Sequence, residues 1–280
     1  MCGLGGRPAA RPGVWHDDGA VHRRRASLRP GVARSVDPPE CILKTIGLLG
    51  GMSWESTLPY YRQINELVAR RLGGLHSAQL VLYSVDFERI ERLQHAGDWQ
   101  AAADLLAQAA RALERAGAQF LVLCTNTMHA VAPQIEAAVR IPLLHIADPT
   151  GEEIRRSGLT QVALLGTSFT MEQAFYRDRL RDRHGLQVVT PPDADRAIVH
   201  RIIYDELCRG QIVDASRLQY RRILADLVAR GAQGVILGCT EISLLVTQAD
   251  CAVPLFDTTA LHARRAVDWA LDSRDPPSTA

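Results

Sequence analysis

With 280 residues, 47% of them apolar, the chain can build one large α/β domain or two modest ones with ample core. Net charge is +1, and eight basic against four acidic side chains fall in residues 1–44, so the remainder is slightly acidic and offers no electrostatic case for nucleic acid. The longest apolar runs fall far short of the roughly 20 residues that span a bilayer, which excludes a membrane segment.

Residues 1–43 are rich in Arg, Pro, Gly and Ala and lack the periodicity of a core element, so they read as a disordered, dispensable extension. The segment has no apolar centre for a secretory signal, and its acids and prolines speak against a transit peptide. The cysteines, Cys2, Cys41, Cys124, Cys208, Cys239 and Cys251, show neither C-x-x-C pairs nor zinc-type spacing. A reduced, cytoplasmic setting therefore fits better than a disulfide framework, and no metal site is expected.

From Thr45 the pattern alternates. Strand-like apolar runs fall at 45–51, 79–87, 120–125, 142–148, 161–167, 186–191, 234–240 and 254–259, and amphipathic stretches such as 98–118 separate most of them. Near-continuous apolar strands between helices predict parallel sheets covered on both faces, the doubly wound α/β class.

A weak internal repeat sharpens this. Residues 115–127, "RAGAQFLVLCTNT", lie without a gap over 229–241, "ARGAQGVILGCTE", which pairs Cys124 with Gly238 and Thr125 with Cys239. "TIGLLGGMS" at 45–53 overlays "QVALLGTSF" at 161–169, and "IPLL" at 141–144 overlays "VPLF" at 253–256. Two half-domains facing one cleft are expected: a first lobe of 44–147 plus 258–272, a second of 148–257, and a tail at 273–280. Ligands in such sheets bind beyond the carboxyl ends of the strands, where "TNT" (125–127) and "CTE" (239–241) sit. Adjacent strand residues point to opposite faces, so Cys124 and Thr125 cannot both look into the cleft. The repeat assigns Thr125 to the cleft and buries Cys124 as a small apolar residue. Cys124 is kept as the alternative catalytic residue, because strand ends often bulge.

"TIGLLGGMSWEST", "LCTNTMH", "ALLGTSFTMEQAFY", "VILGCTEI" and "PLFDTTALHA" together resemble the cofactor-independent aspartate/glutamate racemase superfamily, nearest its aspartate racemase and broad-specificity amino-acid racemase branch. The resemblance covers about residues 44–271. It implies two pseudo-symmetric α/β lobes with a site between them, no cofactor, an amino-acid or other carboxylate substrate, and a homodimer. In most of that family one cysteine from each lobe flanks the substrate's α-carbon. Here Cys239 stands in the second motif, and Thr125 takes the cysteine's place in the first, as in a subset of such racemases.

Inverting an α-carbon needs a base on one face and an acid on the other, which Cys239 and Thr125 would supply. Asn126, Thr127 and Thr240 are expected to hold the developing carboxylate charge. Met52 and Ser53 in the first glycine turn, and 166–171 as its counterpart, are expected near the ligand. The resemblance places a selector of substrate side chains at Gln94, and Glu241 stands where glutamate racemases carry His, which favours the aspartate-like branch. His129, His145, His200 and His262 read as packing or surface residues, and Cys208 and Cys251 as structural. Pyridoxal chemistry needs a lysine amine. The one lysine, Lys44, lies at the junction with the extension. A maleate isomerase or hydantoin racemase relative, and a non-catalytic carboxylate-binding protein on the same scaffold, stay open as alternatives.

Overall fold

Each of the eight apolar runs carries a strand: β1 (Ile46–Gly50), β2 (Leu80–Ser84), β3 (Phe120–Leu123), β4 (Leu143–Leu144), β5 (Gln161–Gly166), β6 (Gln187–Val189), β7 (Val235–Gly238) and β8 (Leu255–Asp257). The computed structural model describes residues 43–272; the expected extension, apart from Leu43, and the tail at 273–280 lie outside the described residues. The strands form two parallel four-stranded sheets, ordered β2-β1-β3-β4 and β6-β5-β7-β8. The fold is α/β with two like lobes, held in one compact unit.

Among the described residues, eight helices of ten residues or more cover these sheets: α1 (Trp54–Leu72), α2 (Phe87–Ala96), α3 (Trp99–Arg115), α4 (Ala147–Arg156), α5 (Ala174–His184), α6 (Asp193–Asp205), α7 (Asp214–Ala229) and α8 (Thr258–Leu271). Their starts follow ordinary capping chemistry. Asp86, Asp98 and Asp257 each accept a hydrogen bond from a backbone N–H in the first turn of α2, α3 and α8. One face of the first sheet packs on α2 and α3 through Leu106, Ala110 and Leu121; the other packs on α1 and α8 through Tyr60, Ala263 and Val122. The second sheet is sandwiched likewise, with Tyr220 and Ile223 of α7 on one face and Ile154 of α4 with Leu180 of α5 on the other. A fully buried Leu or Ile in such layers stabilises by about 1.5–3 kcal/mol. Helix α4 follows β4 yet covers the second sheet, and α8 follows β8 yet covers the first. Each half thus lends its last helix to the other.

The repeat is visible atom by atom. Leu49 pairs with Leu123 between β1 and β3, and their repeat equivalents Leu165 and Leu237 pair between β5 and β7. Gln119 Oε1 accepts from Thr45 N at 2.9 Å, and Gln233 Oε1 accepts from Gln161 N at 3.1 Å. Gly117 and Gly231 end the preceding helices at φ 93° and 94°, a conformation that glycine adopts without steric penalty. Identical registers bring both β3 and β7 to the same end of their sheets, which is what lets one site draw on both.

Candidate active site

Beyond the carboxyl ends of β1, β3 and β7, the two lobes enclose a cavity of about 30 Å³, room for about one water molecule. Its wall includes Met52, Gln94, Thr125, Asn126 and Thr127 from the first lobe, and Thr167, Tyr204, Cys208, Cys239, Thr240 and Glu241 from the second. Of the residues expected from sequence, Ser53, the cap of α1, and the alternative Cys124 stand back from the wall, and of 166–171 only Thr167 reaches it.

The two strand ends set the geometry. Cys124 N donates to Leu49 O at 2.9 Å, so the ladder continues one residue past β3 and the alternation of faces holds. Cys124 is consequently fully buried among Tyr60, Val122 and Ala263, its thiol aimed at Val122 O at 3.6 Å and pushed up in pKa by desolvation. Thr125, one residue on, faces the cavity. Across it β7 ends at Gly238, where glycine is required: a Cβ there would lie 2.8 Å from Leu165 O of β5. Cys239 follows and turns into the cavity.

Glu241, buried at 3% exposure, is the centre of the second lobe's contribution. Its Oε2 accepts from Cys239 Sγ at 2.9 Å and Thr240 Oγ1 at 2.6 Å. Its Oε1 accepts from Ser53 Oγ at 2.8 Å and Cys208 Sγ at 3.6 Å. Ser53 belongs to the other lobe, so this bond also ties the halves together. Burial, then the adjacent Glu241 carboxylate, push the Cys239 thiol well above its ordinary pKa. Cys239 is therefore a thiol with an acceptor 2.9 Å away.

In the first lobe, His129 donates from Nδ1 to Thr125 O at 2.7 Å and accepts at Nε2 from Ile146 N at 3.2 Å. Both ring atoms are used by one neutral tautomer, which agrees with a pKa lowered to about 3 by burial. His129 is thus a strut behind Thr125, and neither it nor His145 nor His262 lines the cavity. Thr127 Oγ1 lies 3.0 Å from Thr167 Oγ1 and 3.2 Å from Thr170 Oγ1, a hydroxyl cluster that bridges the lobes.

Asn126 differs from its expected part. Its Nδ2 donates to Thr258 Oγ1 at 3.0 Å, and Thr258 in turn donates to Leu237 O at 2.9 Å. That chain fixes the amide orientation and commits the amide nitrogen to the protein, and the buried Oδ1 has no partner among the described residues.

Sequence reasoning missed Tyr204 and misplaced Cys208. Both come from α6 and the turn at 207–209, which fold across the cavity mouth, and no motif marks that stretch. Tyr204 donates to Gln94 Oε1 at 3.0 Å and stacks on Phe87, with ring centroids 6.3 Å apart. Gln94 is buried, not an exposed helical residue. Lys44 precedes β1, at the opposite end of the sheet from the cavity. Among the described residues no group of three or more His, Cys, Asp or Glu is placed to hold a metal ion, and no helix is long and apolar enough to cross a membrane.

The family model for Asp/Glu/Hydantoin racemase matches residues 49–266. The chain belongs to that family. Its members are isomerases, and similarity to named relatives runs the length of the fold. A candidate Asp/Glu racemase from Yersinia pestis is 59% identical, covering 82% of this chain and all of that one with a TM-score of 0.77. An aspartate racemase homologue from Pyrococcus horikoshii OT3 is 35% identical over the same shares, with a TM-score of 0.71. The broad specificity amino-acid racemase RacX of Bacillus subtilis is 25% identical over 81% of this chain and 98% of its own length.

Proposed function

We propose that this family member is a cofactor-independent α-amino-acid racemase that passes the α-hydrogen between Cys239 and Thr125. One observation carries the reading: these two side chains occupy equivalent positions of the two repeats, and both line a single cavity.

The chemistry follows from what surrounds each group. Racemisation removes a proton from one face of the α-carbon and returns one to the other. Cys239 carries its proton, so it serves directly as the acid for one enantiomer. For the other it acts as base once Glu241 Oε2, 2.9 Å away, has drawn the thiol proton. Thr125 is a much poorer base than a thiolate and needs a water or neighbouring hydroxyl to pass its proton on. That side limits turnover. Between the two, Thr127 and backbone N–H groups at the strand ends oppose the charge that builds on the substrate carboxylate.

The test is incubation of the protein with single L-amino acids in deuterium oxide. Racemisation gives deuterium at the α-carbon and an end point of equal enantiomers, since mirror images have equal free energy. Ligand binding with no α-exchange for any amino acid would instead mark a non-catalytic binder.

A further inference from the structure

We propose that the substrate side chain is uncharged or cationic, so that the enzyme favours neutral and basic amino acids over aspartate and glutamate. The proposal rests on the racemase reading above and narrows it. Among the described residues the wall of the cavity contains no Arg, Lys or His, and its one carboxyl group is that of Glu241. Glu241 accepts four hydrogen bonds, from Ser53, Cys208, Cys239 and Thr240, so its acceptor sites are filled from within the protein. A second carboxylate on the substrate would be stripped of water beside Glu241 with no cation to meet it, and burying an unpaired charge costs several kcal/mol.

A roomy direction for the substrate side chain lies past Tyr204. A second hollow of about 440 Å³ shares Phe87, Tyr204 and Cys208 with the inner cavity, so these residues form the partition between them. That hollow is lined by the carboxylates of Glu88, Glu91 and Asp205, the guanidiniums of Arg201 and Arg209, and the imidazoles of His95 and His200. Arg201 already lies 3.7 Å from Glu206. With both imidazoles neutral, a side chain extending past Tyr204 enters a surround with three carboxylates and two guanidiniums, which adds to the discrimination made inside.

Acid and amide pairs of nearly equal shape isolate the charge. The wild-type protein is assayed for α-deuteration of glutamate against glutamine and aspartate against asparagine, with lysine as the cationic case. Glutamine and asparagine should exceed their acids in kcat/KM by about tenfold or more, and lysine should exceed glutamate. Glutamate or aspartate matching or exceeding its amide would overturn the substrate inference while leaving racemase action intact. Absence of exchange with all five would overturn the racemase reading itself.

Discussion

The ends of β3 and β7 occupy the same place in their lobes and are equipped differently. The second lobe presents Cys239 with a carboxylate two residues on, Glu241, within reach of its sulfur. The first presents Thr125, and the equivalent position two residues on is Thr127, engaged with Thr167 and Thr170. The thiol has not vanished from the first lobe; it stands one residue early as Cys124, turned into the core. A half-repeat of matched register thus fixes where an acid and a base can sit, while single residues decide how strong each is. One side is a thiol and carboxylate pair, the other a hydroxyl held by a histidine strut.

Removing the stronger side should do the most damage. Cys239→Ser is expected to lower kcat/KM by 10²–10⁴, about 3–5 kcal/mol of transition-state stabilisation, measured with the best substrate of the deuterium assay. Glu241→Gln should keep the fold yet shift the pH profile, because the acceptor for the thiol proton is weakened.

The first lobe's strut gives an acid-sensitive counterpart. His129 and His262 have folded pKa values lowered to about 3 and about 4 by burial, below the unfolded value near 6.5. The unfolded chain therefore binds protons that the folded one refuses. Stability is full above about pH 6.5 and is lost as pH falls toward those folded values. At pH 5 each histidine should cost about 2 kcal/mol, read as a lower urea midpoint than at pH 7. The equivalent of His129 in the second lobe is Ser243, so hydrogen exchange should show the β3–β4 end loosening before the β7–β8 end.

Smaller effects probe the weaker side. Thr125→Ala should cost on the order of 10–100-fold in kcat/KM with unchanged thermal stability. Cys124→Ser should do the reverse, leaving activity near wild type and lowering stability by about 1 kcal/mol, since a hydroxyl replaces a sulfur in an apolar layer.

The fold was legible because strands buried on both faces read as unbroken apolar runs, and the ungapped match of Gly117, Ala118 and Gln119 to Gly231, Ala232 and Gln233 carried the register with it. That match, together with the family resemblance, directed Thr125 and not Cys124 to the cavity. The pairing of Glu241 with Cys239 was not legible, because it depends on how the turn after β7 folds back on itself. Tyr204 and Cys208 were hidden for a similar reason: they reach the cavity by a tertiary crossing of α6 and its following turn, which leaves no periodic trace. Asn126 lines the wall, but its amide nitrogen is committed to Thr258, 132 residues away, a pairing that no local pattern shows.

The most direct measurement compares α-deuteration by Cys239→Ser and Cys124→Ser side by side, with both proteins checked for native circular dichroism. Proton transfer across the cavity predicts that Cys124→Ser keeps near wild-type exchange and Cys239→Ser loses nearly all of it. An inactive Cys124→Ser beside an active Cys239→Ser would contradict the facing pair of Thr125 and Cys239.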